Sequence, residues 1–351
     1  MAEHRTCLLA DLQTNINAIA NGTLGDDSTI EVTNSGTLAA KVTFPAPLRY
    51  FRMFVATGQA CTIAIGTNVL ELLHSGSDDA RDIAVEGFTL KHTPAGANAT
   101  LAKVNGVNAS LLLDRCHIWG AGITGHIFAP SAAGLHTGTM RMQNCTYQGA
   151  FAQVAYGGVG MADIQMYRCN TLGATWSDYL LYGNTWGFDF QECRYAARGV
   201  VEGLNAFSPV VSKAAMPACE FRKTVDAVDV LHILTFTGVT IDLRKTLFVG
   251  DQGTGAAGTC VRLDAGVPAS KVDARGACFV GWGNPAVTSV NLQTLTRAAF
   301  YNNTADVGGA AAKGAGCVAT DPGFVDPGEE WVSECHVGYE LIVGWSLSVL
   351  Q

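Results

Sequence analysis

Two residue classes in this chain could do chemistry: thiols and carboxylates. Of its eleven cysteines, Cys116, Cys145, Cys169 and Cys193 stand 29, 24 and 24 residues apart, an even spacing that invites a metal or redox reading. No CxxC pair occurs, so the usual zinc spacings are missing, and neither a metal nor another cofactor is expected. Cleaving a glycosidic bond needs two carboxylates roughly 5–10 Å apart, and Glu86 with Asp114 is one candidate pair. Lyase chemistry asks for a carboxylate cluster for Ca²⁺ beside a basic side chain. Asp226 and Asp229, with Arg222 and Lys223, are the local candidates, although a charged surface loop around the turn is the favoured reading. Trp176, Asp178, Tyr179, Tyr182 and Trp186 form an aromatic, partly acidic stretch that could stack on sugars, against the commoner fate of such rings, which is burial. Spacing draws no Ser/His/Asp or Cys/His set together. The run Gly253-Thr254-Gly255-Ala256-Ala257-Gly258 lacks the lysine of a phosphate-binding loop. No catalytic set is assigned.

The elements that must position these residues are read from the cysteines themselves. Leu113-Asp114-Arg115-Cys116-His117-Ile118, Met142-Gln143-Asn144-Cys145-Thr146-Tyr147 and Phe190-Gln191-Glu192-Cys193-Arg194-Tyr195 share one pattern: apolar, polar, polar, Cys, polar, apolar. Met166-Tyr167-Arg168-Cys169 keeps its first half. A supersecondary unit returning at such a period marks a solenoid. Extended both ways, the slot is filled by Phe88, Cys116, Cys145, Cys169, Cys193, Cys219, Leu247, Cys278 and Ala299, at intervals of 28, 29, 24, 24, 26, 28, 31 and 21 residues. A position that accepts Phe, Leu and Ala as well as Cys asks for an inward apolar side chain, so free structural thiols are expected. Short β runs broken by polar pairs, with no helical period, predict a parallel β-helix of about nine rungs, each about 4.8 Å from the next. Its outward slots would align Glu86, Asp114, Gln143, Tyr167 and Gln191 before the corner. After it would come Thr89, His117, Thr146, Asn170, Arg194 and Glu220.

Around the array the chain divides into four parts. Residues 1–28 hold an amphipathic helix on Leu8, Leu9, Leu12, Ile16 and Ile19, expected either to dock on its own protein or to anchor it to a larger assembly. Residues 29–78 read as five short strands forming a small antiparallel module or cap. Residues 79–327 are the β-helix. Residues 328–351 are an apolar β tail that would seal the open end or bind a neighbouring subunit.

The repeat resembles that of right-handed parallel β-helix (pectate-lyase-like) proteins, whose rungs often read I-x-N-C-x-F; Met142-Gln143-Asn144-Cys145-Thr146-Tyr147 is the closest match. Asp321-Pro322-Gly323-Phe324-Val325-Asp326-Pro327 is similar to a DPxFVDP segment that often follows the last rungs of such helices. The resemblance covers about residues 82–327 and is specific for fold, not function. It implies an all-β, right-handed parallel β-helix, in a class that includes polysaccharide lyases and hydrolases, epimerases, and viral tailspikes and fibres.

The net charge of −8, with no Lys/Arg cluster, speaks against a nucleic-acid or anionic-membrane partner. The N-terminus has no apolar core of signal-peptide length, and no apolar run approaches a membrane span. The expectation is a bacteriophage tailspike, tail fibre or capsid-attached spike, assembled in the host cytoplasm and carried on the virion surface. It would be a homotrimer, docked to other virion proteins through its N-terminal region and reading a host surface polysaccharide. A polysaccharide hydrolase or lyase on the same fold, or a passive glycan-binding module, is the alternative.

Overall fold

The computed structural model describes residues 2–21, 27–45, 48, 50–65, 71–75, 82–92, 100–104, 110–121, 126–130, 139–156, 163–182, 187–206, 213–224, 228–236, 238, 240–250 and 258–319. The chain winds as a parallel β-helix in which the described residues form three sheets, each of eleven strands. The first sheet runs from His4–Cys7 to Val272–Asp273, the second from Gly36–Leu38 to Ala299–Tyr301, and the third from Val42–Phe44 to Val307–Lys313. In each sheet a strand pairs with its equivalents one rung before and after, as Ser110–Asp114 pairs with both Ile83–Glu86 and Thr139–Gln143.

The register is the one the repeat specifies. Leu113, Met142, Met166 and Phe190 lie side by side and point inward. Both outward rows align as expected, Glu86, Asp114, Gln143, Tyr167, Gln191 and Thr89, His117, Thr146, Asn170, Arg194, Glu220. Between them the backbone turns through one residue of positive φ: Arg115 (50°), Asn144 (52°), Arg168 (51°), Glu192 (53°) and Ala218 (55°), with Gly87 (75°) and Gly276 (74°) at equivalent corners. The left-handed residue rotates the chain from one sheet into the next, and the residue after it starts the new strand pointing inward.

That geometry explains the cysteines. Cys116, Cys145 and Cys219 donate their S–H to Val85, Leu113 and Phe190 carbonyls of the preceding rung, at 3.4, 3.4 and 3.2 Å. A cysteine in the slot is thus small, buried and a weak donor that caps a corner carbonyl. The same rule corrects the slot's later members. Lys245 and Arg297 carry the positive φ, as Gly276 does, so the slot is filled by Thr246, Ala277 and Ala298. The Thr246 hydroxyl donates to the Met216 carbonyl as a thiol would. Leu247, Cys278 and Ala299 are one residue further on and extend the outward row from Glu220. At the far ends Cys61 and Cys317 also fit the slot; Cys317 donates to the Leu295 carbonyl at 3.2 Å. The inward aromatics stack at rung spacing, Phe248 on Phe279 and Phe279 on Phe300, with ring centroids 5.3 and 5.2 Å apart.

Residues 29–78 are not an antiparallel module. Their strands Thr29–Val32, Gly36–Leu38, Val42–Phe44, Arg52–Val55, Cys61–Ile65 and Glu71–Ser75 pair in parallel and form the first rungs of the helix. The cap lies upstream. Thr6 and Cys7 belong to a strand, Leu9–Asp11 form one 3-10 turn, and the helix proper is Leu12–Asn21. Its apolar face, Leu12, Ile16 and Ile19, is fully buried in the same core as Ile30, Val42 and Phe44. These apolar residues dock on the protein's own core and close its open end. Leu8 falls off that face and is exposed. Gln13 also closes an edge. Its amide donates to the Thr43 carbonyl at 2.9 Å and accepts from the Thr43 N–H at 2.8 Å, standing in for a missing strand beside Val42–Phe44. Residues 320–351, with the expected tail, lie outside the described residues.

Candidate functional site

Strand alternation leaves every second residue of each sheet facing outward, and rung stacking turns those residues into columns. On the first sheet Leu112, Arg141, Gln165 and Asp189 form one column, beside Asp114, Gln143, Tyr167 and Gln191. Between them lies a shallow cleft of about 190 Å³, lined by Arg141, Gln143, Gln165, Tyr167, Asp189 and Gln191 with Leu112 and the edges of Met142 and Met166.

The polar groups of the cleft are fixed from its sides. Asp189 accepts from Gln191 Nε2 at 2.9 Å and from Lys213 Nζ at 2.9 Å. Arg168 lies over the Tyr167 ring, 4.7 Å from its centroid, and pairs with Glu192 at 2.7 Å. Arg141 is exposed, and among the described residues no carboxylate pairs with it. Planar amides, a guanidinium and one aromatic ring on a rigid scaffold suit a hydroxyl-rich, ring-shaped ligand. The amides and guanidinium supply directed hydrogen bonds, and the ring supplies a stacking surface.

The sequence-level candidates fall elsewhere. Glu86 and Asp114 are neighbours on adjacent rungs, as expected. Glu86 is 7% exposed and held between two guanidinium groups, Arg52 and Arg115; Arg52 Nη2 lies 2.6 Å and Arg115 Nη2 2.7 Å from its carboxylate. Asp114 accepts from Arg115 Nε at 3.0 Å and Asn144 Nδ2 at 3.1 Å. Both carboxylates thus brace the corner between first and second sheets. Asp229 accepts the Thr259 N–H at 2.8 Å and faces Arg262 at 3.5 Å, which ties two successive rungs together. Asp226 lies outside the described residues.

The aromatic stretch is corrected in part. Trp176 is 6% exposed and packs in the core against Phe151 and Tyr147, with centroids 5.2 and 6.2 Å away. Tyr179 is buried beneath Arg198, and Asp178 accepts from Gln153 and from the Tyr179 N–H, both at 2.9 Å. Neither ring is presented to solvent. Tyr182 ends a short strand, and Trp186 lies outside the described residues.

Sequence reasoning passed over Trp119. It stands two residues beyond His117 and so shares that residue's outward face; the parity alone could have found it. Its indole is half-buried on the second sheet under Lys91, whose Nζ is 4.3 Å from the ring centroid. Beside it His117 Nδ1 and Thr146 Oγ1 are 2.9 Å apart.

The slot thiols Cys116, Cys145, Cys169, Cys193 and Cys219 are buried in the core. Burial pushes the Cys145, Cys169 and Cys219 thiols well up from their usual range, which keeps them protonated and unreactive. No disulfide joins any two of the ten described cysteines. Among the described residues no group of three or more His, Cys, Asp or Glu side chains could hold a metal ion, and no helix is long and apolar enough to cross a membrane. The architecture defines the class, a parallel β-helix. Comparison with protein-family models and with curated proteins gives no match to this chain.

Proposed function

We propose that this chain is a surface protein of a bacteriophage particle, a tailspike, tail fibre or capsid-attached spike, whose β-helix holds a glycan-recognition face against the host surface. The observation that carries the recognition reading is the cleft on the first sheet, where Arg141, Gln143, Gln165, Tyr167, Asp189 and Gln191 converge on a scaffold of continuous backbone ladders. Such ladders keep the outward groups at fixed spacing with little entropy left to lose on binding. Recognition is favoured over hydrolysis because Glu86 and Asp114 are spent on Arg52, Arg115 and Asn144. The setting on a particle rests on the long repeat and its resemblance to viral spikes. Assembly would be as a homotrimer, with the N-terminal region meeting other virion proteins through the polar side of its helix.

The test has two arms. Antibody labelling of native particles in electron micrographs should decorate the tail or capsid surface, and unlabelled particles would sink the virion assignment. Purified full-length protein should retain the host surface polysaccharide. Arg141→Ala and Tyr167→Ala should weaken that binding about tenfold each, the scale of one lost charged hydrogen bond or one stacking contact. Equal binding by wild type and both variants would place recognition elsewhere, and release of oligosaccharides would favour the hydrolase or lyase alternative.

A further inference from the structure

The outer face of the second sheet changes character along its length. Its first column runs Thr89, His117, Thr146, Asn170, Arg194, Glu220 and then, in unbroken register, Leu247, Cys278, Ala299. The column beside it changes at the same rung, from Arg222 to Val249, Val280 and Tyr301. A row facing water has no reason to turn apolar on three successive rungs. These side chains are also withdrawn from water: Leu247, Cys278, Val280 and Ala299 are 9, 1, 6 and 3% exposed although they point away from the helix interior. They form an apolar cluster distinct from the interior core, joined by Val249, Tyr301 and Val318. Among the described residues, Val318 is the one member outside the three strands, and it bridges Ala299 in parallel as the start of the next rung. It extends the face and does not cover it.

We infer that this face is the docking surface of the chain's own last segment, residues 320–351, which lies across it as a strap. The segment follows Ala319, directly after Val318, and so starts at the edge of the face. Its composition matches the need. Tyr339, Leu341, Val343, Trp345, Leu347 and Val349 alternate with Glu340, Ile342, Gly344, Ser346 and Ser348, which gives an extended chain one apolar side and a largely polar reverse. Reach is no obstacle: the three rungs span about 10 Å, and the residues between Ala319 and Tyr339 could extend roughly 65 Å. Tethering favours this occupant over a second copy of the chain, because an attached segment acts at an effective concentration near the millimolar range. The tail thus covers a flank of the rod, and the surface left for partners is the polar remainder of the second sheet and the first-sheet cleft.

Cys278 is a native reporter, since it lies under the strap while Cys145 and Cys193 lie inside the helix. Full-length protein is treated with a maleimide under native conditions, and each cysteine's labelling rate is read by peptide mass spectrometry. Cys278 should be as protected as Cys145 and Cys193 at every protein concentration. In the full-length variant Leu341→Asp/Val343→Asp, Cys278 should label at least about tenfold faster, by local opening, while the two interior thiols stay protected. Immediate labelling of Cys278 in the wild type would show an open face and overturn the inference. Protection that vanishes on dilution would assign the cover to a second copy, and protection unchanged in the variant would exclude the tail; each overturns it. If the variant labels at all three thiols it has unfolded, and the reverse experiment decides. Leu247→Asp on the face should make Glu340 in the tail newly accessible to a glutamate-specific protease, and cleavage equally fast in wild type would refute the strap.

Discussion

The corner at Ala218 offers the cleanest quantitative test of how this chain turns. Ala218 holds φ at 55° and its methyl group makes no polar contact, so Ala218→Gly changes backbone preference alone. An L residue in the left-handed region costs roughly 1–2 kcal/mol, which glycine avoids. Glycine in turn gives the unfolded chain more freedom, a loss of about 0.4–1 kcal/mol. The difference leaves Ala218→Gly stabilising by about 0.5–1 kcal/mol. Gly276 occupies the equivalent corner at φ 74°, so Gly276→Ala should destabilise by a similar amount. The assay is urea unfolding of the full-length protein, followed by the shift in midpoint at unchanged slope. If unfolding is not reversible, unfolding rates at fixed urea give the same ordering. A lower midpoint for Ala218→Gly, together with a neutral Gly276→Ala, would refute the left-handed corner and with it the explanation of why the next residue points inward.

Two further outcomes follow from the caps and the ion pairs. Gln13→Ala removes both amide bonds to Thr43; it should cost about 1–3 kcal/mol and raise the tendency to associate through the bared Val42–Phe44 edge, read by unfolding and light scattering. Acid should weaken the fold through Asp273 and Asp264. The hydrogen bond from Arg275 holds the Asp273 carboxyl below its usual range. Burial raises that of Asp264, but His232 and Arg262 outweigh it and leave it lowered. A carboxyl depressed in the folded state binds its proton more readily when unfolded. The stabilisation is therefore complete above about pH 4 and is lost as pH falls through the lower folded values. Asp273→Asn should flatten the stability profile in that acid window and leave its shape near neutrality unchanged.

The repeat made the register of the first and second sheets legible from residue 85 to 220, because the corner keeps a fixed order: inward apolar, two corner residues, an inward buried residue that is most often Cys. Past Glu220 the same order continues as Leu243-Arg244-Lys245-Thr246, Ala274-Arg275-Gly276-Ala277 and Leu295-Thr296-Arg297-Ala298. There the slot lies one residue before the conspicuous apolar side chain. Thr and Ala are inconspicuous in the slot, whereas Leu247, Cys278 and Ala299 just beyond it look like core. They look so because the outer face is itself buried at those rungs. The first rungs are hidden in the sequence for a different reason. No cysteine-centred motif marks Thr29–Val32 or Arg52–Val55, and short alternating strands carry no direction. At the candidate site, alternation located the Gln143–Tyr167–Gln191 column but not Arg141 and Gln165, which share its outward face two residues earlier. Clustering in sequence pointed to Trp176, whose strand carries an extra residue between Asn170 and Gly173, opposite Thr146 and Gln148, and whose ring packs in the core.

The central claim is the stacked corner slot, and the positions of the sulfur atoms test it most directly. Anomalous diffraction from crystals of the native protein should place the sulfurs of Cys116, Cys145, Cys169, Cys193 and Cys219 in a single row, about 4.8 Å from one to the next, with Cys278 displaced to the outer side of the sheet. Sulfurs scattered off that row, or Cys278 falling in line with it, would contradict the account.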